Sequence, residues 1–277
     1  MELLTLHSDM PLPENLYVGT VSWAKDDWLG SFYPENAKPA ELLQIYTKAF
    51  RTVEIDATFY RIPGRSMVVG WKERSPEGFV FAAKVPRVIT QIKVLTNCQP
   101  EFTLFLRNME ALGEKLGPLL LQFPYFNQKR FPSREPFDKV LRPFLNALPK
   151  DFRFVVEIRN KNWITWDFLD LLRDHSVGFV LLNQIWMPRI DTLAQALDLA
   201  TSDFCYARFM GDRKGLEEKT QKFDTIIEDQ TDDMRIWANE LKKIVARGIR
   251  TYAFFSNYYA GYGPGSAKLF EQLWETA

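Results

Sequence analysis

Residues 53–60 read VEIDATFY, and the folding of this stretch decides the reading of the whole chain. Val53, Ile55, Ala57 and Phe59 alternate with Glu54, Asp56, Thr58 and Tyr60, which is the period of a β-strand. The neighbouring segments imply a parallel sheet, and strands buried on both faces are normally apolar throughout. Two carboxylates on one face of such a strand need a different setting. A sheet closed on itself provides one, because its inner face can carry charge near the mouth.

Working outward, strand-like and helix-like segments alternate. Strands are expected at 16–20, 52–58, 79–84, 117–123, 152–158, 177–183, 204–209 and 250–257. Helical spacing follows at 39–50, 65–74, 100–115, 136–147, 165–174, around 193–197, at 232–248 and at 265–275. Eight such units in 277 residues predict an α/β fold, a TIM (β/α)8 barrel with a closed parallel sheet and outer helices. A doubly wound open sheet is the rival. No Pro/Gly/Ser-rich linker divides the chain, so one domain over 1–277 is expected, with 1–15 as an N-terminal extension.

Composition narrows the function. Apolar residues make up 46%, enough for a large core, and 35 Lys plus Arg balance 35 Asp plus Glu. That balance provides no bulk field toward DNA or an anionic membrane, although a local basic patch remains open. The first 16 residues lack a basic region followed by a long apolar run, so no secretory signal is expected. No apolar run approaches the roughly 20 residues that cross a bilayer. Cys98 and Cys205 match no metal or redox spacing and read as free thiols in a reducing compartment. A cytoplasmic protein with no membrane partner is the expectation.

In a barrel the last inward-facing residues of each strand surround the ligand-binding mouth. Placing the apolar positions against the helices sends Glu54, Asp56 and Thr58 inward from strand two and Lys84 from strand three. Gln122 comes from strand four, Glu157 and Arg159 from five, Asn183 from six, Arg208 from seven and Asn257 from eight. Two readings of these charges stand. They form a buried ion-pair network, with Glu54 deepest and structural, or a working constellation, with Glu157 and Arg159 nearer the opening.

Six blocks carry a resemblance: GTVSWAKDDWLGSFYP (19–34), TVEIDATFYRIP (52–63), KLGPLLLQFP (115–124), VVEIRNKNW (155–163), YARFMG (206–211) and FFSNYYAGYGPGSAKLF (254–270). In this order, over nearly the whole chain, they resemble the YecE-like family, a domain of unknown function. The resemblance implies a TIM-barrel-like fold and no assigned reaction. It also implies a barrel like those of metal-dependent sugar isomerases and apurinic-site endonucleases, an analogy of fold alone. This sequence departs from the family's usual wording. Val21 and Ser22 precede Trp23 where Ser-Gly is common, and Thr90 and Gln91 stand where a His often follows the third strand. Asn183 replaces a common Asp, Met210 a common His, and Ser256–Asn257 a pair of Asn. If the usual residues act in a reaction, these exchanges alter or abolish it in this chain.

The candidate roles follow from chemistry. Glu54, Asp56, Lys84, Glu157 and Arg159 are the catalytic candidates, suited to acid–base work without a metal. With only His7 and His175, neither at the mouth, an imidazole-built zinc site is not expected. Mg²⁺ held by Asp56, Glu157 and substrate oxygens is the one metal option, and no intrinsic metal or cofactor is assigned. No nucleophile motif is present.

After strands seven and eight come Arg208, Arg213 and Lys214, then Gly261, Gly263 and Gly265 ahead of a helix. That pattern suits an anion held by backbone amides, or merely a turn. Trp23, Tyr60 and Trp163, just beyond strand ends, are placed to stack on a ring. Trp23, Tyr60, Gln122, Trp163, Asn183, Arg208, Asn257 and Gly263 are therefore the ligand-binding candidates. The expected partner is a small anionic molecule, phosphate-bearing or a nucleotide. A nucleic-acid binding or processing protein and a noncatalytic scaffold are the alternatives. Whether the chain is an enzyme, which reaction it runs and its oligomeric state stay open.

Overall fold

The computed structural model describes residues 12–276; His7 and most of the expected 1–15 extension lie outside the described residues. Eight parallel strands close into a barrel in sequence order. They are β1 (Leu16–Val21), β2 (Thr52–Ile55), β3 (Val80–Lys84), β4 (Leu116–Gln122), β5 (Phe154–Glu157), β6 (Gly178–Gln184), β7 (Phe204–Gly211) and β8 (Arg250–Phe255). The seam is parallel pairing of β1 with β8, from Leu16 opposite Thr251 to Thr20 opposite Phe255. Around it run α1 (Leu42–Tyr46), α2 (Arg65–Glu73), α3 (Gln99–Met109), α4 (Arg134–Asn146), α5 (Trp166–Asp174), α6 (Ile190–Ala196), α7 (Arg213–Glu217), α8 (Thr231–Val245), α9 (Asn257–Ala260) and α10 (Gly263–Thr276).

Strand parity builds two separate apolar clusters. Val53, Ile55, Phe81, Ala83, Leu119, Leu121, Val156, Leu181, Ala207, Phe209, Ala253 and Phe255 face the helices and join the larger one. Val80, Ala82, Leu120, Val155, Val180, Leu182, Tyr206, Tyr252 and Phe254 fill the lumen. The lower lumen is therefore a packed core rather than a channel, and charge is confined to its upper end.

Local signals account for several helix ends. Thr165 caps α5 through a bond from the Phe168 amide. In α8, Asp232 and Asp233 occupy the first turn and Lys242 and Lys243 the last, each complementing the helix dipole. At the other end of the barrel, Asn15 Nδ2 donates to the carbonyls of Val245 and Ile249 at 3.0 and 3.2 Å. No helix among the described residues is long and apolar enough to cross a membrane.

Two boundaries differ from expectation in ways that matter for the site. β2 ends at Ile55 instead of running to residue 58, and a 3-10 turn over Ala57–Phe59 follows. Thr58 is consequently buried, its one hydroxyl proton shared between the carbonyls of Lys84 at 2.7 Å and Ile55 at 3.0 Å, so it braces the β2–β3 corner. The expected helix at 100–115 is α3 to Met109 and then a 3-10 stretch, interrupted by Gly113 at φ 58°.

Candidate functional site

The upper lumen is built in layers. At its floor Arg208, from β7, grips Glu54, from β2, in a bidentate pair: Nε to Oε2 at 2.9 Å and Nη2 to Oε1 at 2.8 Å. Its third nitrogen, Nη1, donates to Glu157 Oε2 on β5. Tyr206, two residues earlier on β7, donates its hydroxyl to Glu54 Oε2 at 2.7 Å. All three charged side chains are fully buried. This is the planar, forked geometry for which a guanidinium suits two carboxylates better than an ammonium does.

Above the floor, Arg159 Nε donates to Glu157 Oε1 at 3.0 Å, and Lys84 Nζ donates to Asp56 Oδ1 at 2.8 Å. The Lys84 ammonium also lies 3.9 Å from the centre of the Phe59 ring. Three carboxylates thus meet three cations, and the layer is neutral overall. Burial pushes the Glu157 carboxyl up, but Arg208 and Arg159 outweigh it and hold the group below the usual carboxylate range. Asp56 follows the same balance, burial raising it and Lys84 pulling it down further. Lys84 is displaced downward, first by burial and then by the charge of Arg208. Tyr206 is pushed well up by burial and by Glu54, so its hydroxyl stays protonated as a donor.

Five expected site residues therefore come together: Glu54, Asp56, Lys84, Glu157 and Arg159, with Arg208 at their centre. Gln122 lies at the end of β4, its Cα in register with Glu157, buried and without a side-chain hydrogen bond among the described residues.

Other expected residues are placed elsewhere, which corrects the geometry read from sequence. Asn183 has the parity of Leu181 and faces outward, donating to Asp233 Oδ2 at 2.6 Å on the first turn of α8; Tyr259 donates to the same oxygen at 2.9 Å. Trp163 is buried between Phe126 and Phe137, its ring stacked at 5.9 and 5.4 Å from theirs. Trp23 packs edge-on against Trp71 and Phe81 on the helix side. Asn257 Oδ1 accepts from Trp28 Nε1 at 3.1 Å and from the Gly263 amide at 2.9 Å, locking the start of α10. A Cβ at Gly263 would lie 3.0 Å from that oxygen, so a larger residue there would press on the Asn257 amide. Arg208 is committed to the two glutamates, so it supports the mouth from below instead of lining it. Tyr60 stands at the rim, 67% exposed.

Apart from Arg159, the rim also carries cations that the sequence reading passed over. The segments following β2 to β5 (56–64, 85–98, 123–133 and 158–165) hold seven cations, Arg61, Arg87, Lys93, Lys129, Arg130, Arg159 and Lys161, against the single carboxylate of Asp56. Those following β6, β7, β8 and β1 (185–189, 212–230, 256–262 and 22–41) hold seven cations against ten carboxylates. Arg61, Arg87, Lys129, Arg130 and Lys161 are exposed and make no ion pair among the described residues. Tyr125, 67% exposed, shares this half with Tyr60, and Trp186, 72% exposed, follows next to it after β6. A charge count by connecting segment would have found the asymmetry, which a net charge of zero conceals.

The β3–α3 connection is itself unusual. It runs through a π-helical turn, Val88–Ile92, and puts Val94, Leu95 and Asn97 in the left-handed region. Thr90, one of the family-departing positions, is fully buried there, its hydroxyl without a partner among the described residues. Among the described residues no group of three or more His, Cys, Asp or Glu is arranged to hold a metal ion. His175 lies near the opposite end of the barrel, its ring nitrogens 2.8 Å from the Leu171 carbonyl and from Asn146 Oδ1.

A family model described as "Protein of unknown function DUF72" matches residues 17–277. UPF0759 protein YecE of Escherichia coli (strain K12) is 29% identical over 146 residues, which are 52% of this chain and 48% of that protein. UPF0759 protein YunF of Bacillus subtilis (strain 168) is 27% identical over 162 residues, 56% of this chain and 54% of its own. The chain thus spans about half the length of the curated relatives it matches. The crystal structure of a DUF72 family protein from Thermotoga maritima MSB8 superposes with a TM-score of 0.73 at 25% identity, covering 94% of this chain and 99% of that one.

Proposed function

The chain belongs to the DUF72 family of proteins of unknown function, and from that premise we propose that its barrel mouth binds a phosphate-bearing small molecule or a nucleotide. The observation that carries this reading is the electrical division of the mouth: five exposed cations on the β2–β5 side that make no ion pair among the described residues, above a floor whose charges already cancel. The floor adds no net charge, so the net charge at the mouth is that of the rim, which favours an anion. Phosphate oxygens meet Arg61, Arg87, Lys129, Arg130 and Lys161, and the ring of a nucleoside stacks on Tyr60 or Tyr125. Glu157, held below the usual carboxylate range by Arg208 and Arg159, stays ionised and fixes both, and Glu54 grips Arg208 from the other side. Asp56 and Lys84, next to the opening, are the groups left for acid–base chemistry. Cys98 and Cys205 are free and buried, which agrees with a reducing, cytoplasmic setting for such a ligand.

A thermal-shift series with inorganic phosphate, a nucleoside and the matching nucleoside monophosphate tests the reading. It expects the monophosphate to raise the melting temperature more than either part alone. Equal shifts from nucleoside and monophosphate would remove the phosphate from the account.

The spread of the cations over four successive connecting segments favours a second reading, a single-stranded nucleic acid laid across the same half of the rim. About five phosphate contacts would give a log–log salt slope near −3.5. A slope near −1 would return the ligand to a single nucleotide.

A further inference from the structure

Lys84 is the only buried lysine among the described residues, and the proposed phosphate site gives it no role in gripping phosphate. Its Nζ makes one side-chain hydrogen bond, to Asp56, and the two side chains are 7% and 25% exposed, so the carboxylate is the more open partner. Glu54 and Glu157 already have Arg208 and Arg159, so Lys84–Asp56 is a separate, balanced pair within the layer. A proton passed from Lys84 to Asp56 leaves a neutral amine beside a carboxylic acid without changing the charge of the site.

We infer that Lys84 and Asp56 form a carbonyl-condensing couple, in which Lys84 Nζ forms a reversible imine with the aldehyde or ketone of a phosphate-bearing substrate. The inference rests on the phosphate reading above for the second half of that substrate. In the first step Asp56 takes a proton from the ammonium. The amine lone pair then attacks the carbonyl carbon, the C–N bond forms, and the carbonyl π pair moves onto oxygen. That oxygen takes the proton back from Asp56, and Asp56 removes one of the two protons on nitrogen, leaving a neutral carbinolamine. Asp56 finally protonates the hydroxyl as the C–O bond breaks. Water departs, and the nitrogen lone pair closes the C=N bond.

The product is an iminium facing a carboxylate, so the starting charges are restored and no oxidant or reductant is consumed. The Phe59 face, 3.9 Å from Nζ, supports the iminium as it supports the ammonium. Burial and the nearby charge of Arg208 both hold the Lys84 ammonium below the ordinary lysine range, which eases release of the first proton. Lys84 in turn holds Asp56 low, so the neutral pair is the minor form that the carbonyl captures.

The test is reductive trapping with glyceraldehyde 3-phosphate as probe and glyceraldehyde as its phosphate-free control. Sodium borohydride converts any imine to a stable secondary amine, and peptide mapping by mass spectrometry locates it. The expected result is an adduct on Lys84 that depends on the phosphate and is lost in Lys84→Arg. In Asp56→Asn, which keeps the lysine, it should form more slowly by roughly 100-fold. Melting curves of both variants establish that they are folded, and the unreduced phosphate-dependent thermal shift is measured alongside. Adducts confined to exposed lysines such as Lys129 and Lys161, with the phosphate-dependent shift intact, would overturn the imine and leave the binding reading standing. Loss of that shift in the wild-type chain would remove the binding reading and the imine together.

Discussion

The floor and the rim of this barrel use the same residue types to opposite ends. At the floor, Arg208, Glu54 and Glu157 are fully buried and satisfy one another. At the rim, Arg61, Arg87, Lys129, Arg130 and Lys161 are exposed and unpaired among the described residues. Buried charge has to be cancelled because solvent no longer screens it, so a functional reading of the floor must first allow for that demand. Exposed cations of one sign over four neighbouring segments meet no such demand, and they are the stronger indication of a ligand. Substitutions at the floor should therefore be read in stability, and substitutions at the rim in binding.

The largest effect is expected from Arg208→Met. It leaves Glu54 and Glu157 buried without their shared cation and should cost about 3–5 kcal/mol in urea unfolding. A loss below about 1 kcal/mol would mean that water reaches the floor. The wild-type pH dependence has a definite sign. Glu157 titrates below its ordinary value of 4.5 in the folded chain, so its contribution is complete above the unfolded pKa. It is lost as pH falls through the lower, folded pKa. Acid unfolding of Glu157→Gln should lack this component, and an unchanged acid limb would remove Glu157 from the ledger.

A smaller effect is expected at Asn183, outside the lumen. Asn183→Asp would set a carboxylate against Asp233, to which the amide now donates at 2.6 Å. The expected cost is about 2 kcal/mol at neutral pH, shrinking on acidification as one carboxyl of the pair is protonated. Equal stability of the two forms at pH 7 would show that the β6–α8 contact is not maintained in solution. The smallest change in stability belongs to the rim: alanine at Lys129 and Arg130 should shift it by no more than about 0.5 kcal/mol.

The floor was legible because strand period is strict: Glu54 alternates with helix-facing Val53 and Ile55, and Lys84, Glu157 and Arg208 share parity with lumen-facing apolar residues of their strands. Tyr206 follows from the same rule, two residues before Arg208. The rule stops where strands stop. Thr58, Trp23 and Trp163 lie on turns beyond the strand ends and Asn257 at the start of α9, where direction depends on tertiary packing. Asn183 was legible but misread, since Leu181 outward and Leu182 inward put residue 183 on the helix side. The rim cations lie on connecting segments without periodicity, so only the position of each segment around the barrel unites them.

The most direct test of the central claim compares the two halves of the rim by calorimetric titration of a nucleoside monophosphate. The chains to be compared are the wild type, Lys129→Ala/Arg130→Ala on the basic half, and Lys214→Ala/Lys219→Ala on the acidic half. The account predicts saturable binding that weakens by roughly tenfold or more, about 1.4 kcal/mol, in the first variant and is nearly unchanged in the second. Equal affinity in all three chains, or no saturable binding to the wild type, would contradict it.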